Sequence, residues 1–124
     1  MNLPANESDW LTDYEGQLAI DVYENDDSVV LTAPLAGVDK KDLEISITDE
    51  VVNIKGERHQ QEEIVKENFY TQECYWGAFS RSYILPVAVD AVKAEAALKN
   101  GILTIKIPKL EKSKTKTIDI KVEE

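Results

Sequence analysis

The sequence predicts an all-β domain, a sandwich or a barrel, and three observations carry that expectation. Apolar residues recur at every second position in several short segments, the period of a strand that buries one face. Clusters of Asp, Asn, Gly, Pro and Ser separate these segments at the close spacing of antiparallel structure. No uninterrupted apolar run approaches the ~20 residues needed to span a bilayer, and only one segment has strong helical character. At 124 residues, 43% apolar and 31% charged, the chain has the size and composition of one soluble domain with a single core.

The first strand is expected in LAIDVY, where Leu18, Ile20 and Val22 alternate ahead of the turn residues ENDDS. SVVLTAPL is rich in β-branched residues and stops at Pro34 and Ala36-Gly37. DLEISIT puts Leu43, Ile45 and Ile47 on one face and Glu44, Ser46 and Thr48 on the other. VVNIKGER repeats the alternation through Val52 and Ile54, and Asp49-Glu50 is a connection short enough for an antiparallel hairpin. Residues 57–73, ERHQQEEIVKENFYTQE, break the rhythm with a charged stretch in which Ile64, Val65, Phe69 and Tyr70 are embedded. Loops of that length are uncommon in compact domains unless they serve a function.

AFSRSYILP alternates again, with Phe79, Arg81, Tyr83 and Leu85 on one face and Pro86 at the end. DAVKAEAALKNG is ambiguous. Its Ala, Lys, Glu and Leu content and the Asn100-Gly101 stop describe a helix, yet Val92, Ala94, Ala96 and Leu98 also alternate; pattern alone favours the helix. GILTIKIPK is the last core strand, followed by a lysine-rich stretch and by TIDIKVEE, in which Ile118, Ile120 and Val122 alternate. A fraying chain end favours polar residues, so these three need a surface to bury against, on their own domain or on another molecule.

Several function classes are disfavoured. The acidic start MNLPANESDWLTDYEG lacks the basic and apolar regions of a signal peptide, which leaves the cytoplasm as the expected location and Asn6-Glu7-Ser8 as a chance glycosylation pattern. Cys74 and His59 are the only cysteine and histidine, too few for a disulfide framework or a Cys/His zinc site. His59 lies in the solvated run GERHQQEE, without the positioned partners that general-base chemistry needs. Neither a phosphate-cradling glycine motif nor a P-loop occurs, and Asp26-Asp27 and Glu62-Glu63 sit in turn or loop chemistry. No enzyme, cofactor or metal site is expected. A net charge of −10 opposes nucleic-acid binding, and no membrane partner is expected. The charge is uneven: residues 99–124 carry seven basic and four acidic side chains, while the rest of the chain is strongly acidic.

Four stretches together resemble the α-crystallin domain of small heat shock proteins. They are APLAGVDKKDLEISI; ECYWGAFSRSYILP, with Gly77, Phe79, Arg81, Leu85 and Pro86; AALKNGILTIKIP; and Ile118-x-Ile120. The likeness runs in order from about residue 17 to residue 122. It implies an immunoglobulin-like β-sandwich over 17–108, a short flexible N-terminal arm over 1–16, and a C-terminal linker and tail over 109–124. It also implies a strand rather than a helix at about Ala94–Leu98, and the expectation follows it there.

Functionally, the resemblance implies an ATP-independent holdase chaperone that binds unfolding client proteins and assembles from dimers into a larger homo-oligomer. Ile118, Ile120 and Val122 would lie in a neighbour's groove between Leu43, Ile45 and Ile47 on one strand and Ala94 and Ala96 on another. The same groove could take client segments. Residues 109–117 would span roughly 30 Å at ~3.3 Å per residue. Ile64, Val65, Phe69 and Tyr70 would form a loop whose strand swaps into the partner near Ile20–Tyr23. Arg81 would be buried or at an interface, opposite a carboxylate, and Leu3, Trp10 and Leu11 of the arm would contact clients or other arms. The arm is short for the family, and Cys74 stands where many bacterial relatives carry arginine. The alternative is a monomeric co-chaperone adaptor with the same sandwich, which would need neither the tail motif nor the apolar loop. A carbohydrate-binding or hydrolytic sandwich is disfavoured because Trp10, Trp76 and the tyrosines do not cluster along one strand.

Overall fold

The computed structural model describes residues 18–48, 50–110 and 116–123. Seven strands lie among them: β1 (Asp21–Glu24), β2 (Ser28–Pro34), β3 (Leu43–Thr48), β4 (Val51–Arg58), β5 (Gly77–Ile84), β6 (Glu95–Lys99) and β7 (Ile102–Pro108). They form two antiparallel sheets, one ordered β1-β2-β7-β6 and the other β3-β4-β5. The remaining regular structure is three single turns of 3-10 helix, at Lys40–Asp42, Lys66–Asn68 and Ala91–Lys93. The expected all-β sandwich is the one observed.

The alternation read from the sequence becomes the core. In β2 and β7 the inward residues stand directly opposite one another, Val29 against Ile107, Leu31 against Ile105 and Ala33 against Leu103, and all six are buried. Val52 and Ile54 of β4, Phe79 of β5, Leu18 ahead of β1, and Leu35, Val38, Leu85 and Val89 from the connections complete the cluster. Gly56 of β4 lies opposite Phe79. A Cβ on Gly56 would stand 2.5 Å from Phe79 Cζ and 3.0 Å from the Asp42 carbonyl oxygen, so this strand glycine is what lets the ring lie flat across β4. The Arg58 guanidinium covers the same ring, 5.7 Å from its centroid.

The ambiguous segment resolves as a 3-10 turn at Ala91–Lys93 followed by β6. The helix favoured by propensity is overridden by pairing with β7, in register from Glu95↔Lys106 to Lys99↔Ile102. Asn100-Gly101 is therefore not a helix stop but the two-residue turn of a hairpin. Both residues have positive φ, 53° and 77°, the geometry in which Asn-Gly matches the twist of the flanking strands. The Gly101 carbonyl accepts a hydrogen bond from Leu35 N–H at 2.6 Å, which ties this hairpin to the end of β2.

Beyond Pro108 the inward row of β7 continues into a charged residue. Lys109 is buried, and its Nζ lies 2.7 Å from Glu24 Oε1. Its backbone N–H donates to the Asp27 carbonyl at 2.8 Å, and Leu110 N–H donates to the Ala88 carbonyl at 3.1 Å. The first two residues of the expected linker are thus stitched to the body.

Candidate functional site

The two sheets do not close on each other. β3 is the edge of one and β6 an edge of the other, and β6 carries only small side chains at Ala96 and Ala97. The opening is a groove of about 470 Å³ lined by Leu43 and Ile45 on one wall, Ala96, Ala97 and Leu98 on the other, Leu103 in the floor and Lys40 at the rim. Of the five groove residues expected from the sequence, Leu43, Ile45 and Ala96 come together in this lining. Ile47 and Ala94 are not part of that lining, although they pack against the core as Leu43 and Ile45 do. Leu98 and Leu103 were not among the expected residues, although Leu98 belongs to the same alternation as Ala94 and Ala96.

The tail residues that would need such a groove are exposed in the single chain, Ile118 by 76%, Ile120 by 90% and Val122 by 82%. Residues 116–123 form no strand, and these three side chains are not buried on their own domain. The long loop presents a second unburied set. Ile64, Val65 and Tyr70 are exposed and Phe69 is half-buried, flanking the turn at Lys66–Asn68. Within one chain no strand forms between β4 and β5. On the opposite side, β1 is a four-residue edge strand with Tyr23 exposed. Beside it lies a hollow of about 320 Å³ lined chiefly by Ala19, Ile20, Ala33, Pro34 and Ile102.

Arg81 shares its strand face with Phe79 and Tyr83, as the alternation predicts, and is half-buried. Its expected carboxylate partner is absent among the described residues. Nη1 donates instead to the Leu18 carbonyl at 2.6 Å, across the space between β5 and the chain entering β1. A carbonyl suffices because the group stays partly solvated and keeps much of its hydration. Leu3, Trp10 and Leu11 lie outside the described residues.

His59 stands exposed between Glu57 (3.4 Å) and Asp42 (3.7 Å), and Cys74 is exposed. Among the described residues no group of three His, Cys, Asp or Glu side chains could hold a metal ion, and no helix is long and apolar enough to cross a membrane.

Residues 21–123 match the model of the Hsp20/alpha crystallin family. The chain belongs to that family. It is 37% identical to spore protein SP21 of Stigmatella aurantiaca, over 82% of this chain and 60% of that protein. It is also 37% identical to small heat shock protein C2 of Rickettsia felis, over 82% of this chain and 66% of the relative. Among solved structures it is similar to heat shock protein 16.0 of Schizosaccharomyces pombe, with a TM-score of 0.71, 37% identity and coverage of 85% of this chain and 98% of that one. A small heat-shock protein of Xylella fastidiosa follows at TM-score 0.68 and 32% identity, covering 87% and 97%. The chain spans about 60 to 66% of the length of these curated relatives.

The Arg81 geometry yields a measurable expectation. Arg81→Ala removes a charge-assisted bond that holds Leu18 against the sheet, a loss of about 1.5–3 kcal/mol. Urea unfolding should show a lower midpoint, while Arg81→Lys should recover part of the loss.

Proposed function

We propose that this protein is an ATP-independent holdase chaperone that binds unfolding proteins through apolar surfaces and stores those surfaces by self-assembly. The observation that carries the reading is the coexistence, in one chain, of an open apolar groove at Leu43, Ile45, Ala96 and Leu98 with an exposed apolar tail of matching two-residue period. The family supports it, since relatives are heat shock proteins by name and the Xylella fastidiosa protein forms a distinct high-order structure. A heat-labile client warmed with this protein and no nucleotide should remain clear when the client alone turns turbid. Client turbidity that is unaffected would remove the holdase reading in favour of a monomeric adaptor.

In this reading Ile118 and Ile120, with Val122 beside them, dock in the groove of a neighbouring subunit. Burying two isoleucines is worth at most ~3–6 kcal/mol, and ordering the tail takes back part of that. The latch is weak enough to open, as a surface that must meet clients requires. Replacing Ile118 and Ile120 by serine should leave circular dichroism of a β-protein and shift the assembly towards dimers by light scattering. An unchanged mass with lower stability would mean that the tail binds its own domain.

The dimer itself is proposed to form when the loop with Ile64, Val65, Phe69 and Tyr70 pairs with the partner's β1. The free edge of β1 and the apolar hollow beside it support this, because a two-strand contact there would satisfy backbone groups and cover the loop's apolar residues together. Deleting residues 64–72 should give a folded monomer; a dimer that survives the deletion excludes the swap.

A further inference from the structure

We propose that Lys109 is a positioning residue for the C-terminal tail, clamped by Glu24 so that the chain is launched in line with β7 and towards a neighbour. The inference rests on the tail-docking reading above and adds the residue that directs it. Lys109 follows Leu103, Ile105 and Ile107 at the inward period of β7, and its side chain is only 2% exposed. Glu24 stands opposite Val29 of β2, so it shares the inward face at the edge of the same sheet. The 2.7 Å pair between them is a polar plug at one end of the core. A buried ammonium is stable only with such a partner, so the two side chains hold each other in place.

The backbone at the same point is gripped from both sides. Lys109 N–H reaches the Asp27 carbonyl on the β1–β2 turn, and Lys109 bridges Val89 on the other side. That turn is itself rigidified, since Asn25 Oδ1 accepts from the Asp27 and Ser28 N–H groups at 3.0 and 2.8 Å. The root is therefore held at Leu110, and seven residues separate it from Ile118. The eight steps from Leu110 to Ile118 reach at most about 26–29 Å at ~3.3–3.6 Å each. The chain's own groove lies alongside, because β6 begins at Glu95, opposite Lys106, and entering it would require a reversal within those seven residues. Loosening the root lengthens the tether and removes the direction that disfavours this return.

The test uses the full chain with Glu24→Gln and Lys109→Met, read by amide hydrogen exchange and by the rate at which labelled oligomers exchange subunits. Glu24→Gln should lower protection at the Lys109 and Leu110 amides by about tenfold, leave Leu31 and Ile105 as in the wild type, and speed subunit exchange several-fold. Lys109→Met removes the charge but keeps an apolar stem, so it should retain core protection and reproduce the other two effects. Wild-type protection at 109 and 110 in both variants would overturn the proposal. So would a uniform loss of protection in both, or loosened amides with unchanged subunit exchange. Ile118→Ser with Ile120→Ser is measured in parallel. If that variant exchanges subunits at the wild-type rate, tail docking itself is wrong, and the amides at 109 and 110 alone decide whether Glu24 clamps the root.

Discussion

The antiparallel pairing of β2 with β7 sets Val29, Leu31 and Ala33 directly beside Ile107, Ile105 and Leu103, and the second sheet rests on that block of six buried side chains. Full burial of each large aliphatic residue there stabilises the fold by ~1.5–3 kcal/mol. β1 and β6 flank this pair and β3-β4-β5 covers it, so the groove, the β1 edge and the root of the tail all take their positions from it. The side chains that face the interior leave little freedom in register, since a one-residue slip of β2 would turn its buried row to solvent.

With the centre so firmly packed, the open surfaces lie at the margins. β1, β3, β5 and β6 are each paired on one side only within the chain, and an open edge is a template for another strand. The groove between β3 and β6 is lined on its β6 side by Ala96, Ala97 and Leu98, and Ala96 and Leu98 stand opposite the buried Ile105 and Leu103 of β7. In the proposed reading the same geometry that makes a folded subunit also makes an incomplete one, finished by a neighbour's tail or loop and reopened when clients compete.

Arg81 and Lys109 are withdrawn from solvent to different degrees and by different means. Arg81 keeps part of its guanidinium in solvent and needs only the Leu18 carbonyl. Lys109 is enclosed, and it has a carboxylate whose own exposure is 61%. Glu24 thus remains hydrated while neutralising its partner, which avoids the full desolvation of two charges that makes enclosed ion pairs costly.

Period and punctuation in the sequence were enough for the class of fold and most of its strands. The alternation through Leu43, Ile45 and Ile47 and the faces of Phe79 and Leu85 read correctly because a strand with one buried face must repeat every two residues, and the β-branched pair Val29-Val30 read as strand by its propensity. The tail residues were legible for the same reason, as apolar positions without a partner. The segment 90–101 was not, because local propensity cannot sense the free side of β7; its Asn-Gly turn was the hairpin signal that weighed against a helix. Gly56 beneath Phe79, the placement of Leu98 and Leu103 in the groove, and the Lys109–Glu24 plug were decided only by the tertiary structure. Each depends on which strand is brought opposite which, and the period of one strand says which face a residue takes but not what it meets there.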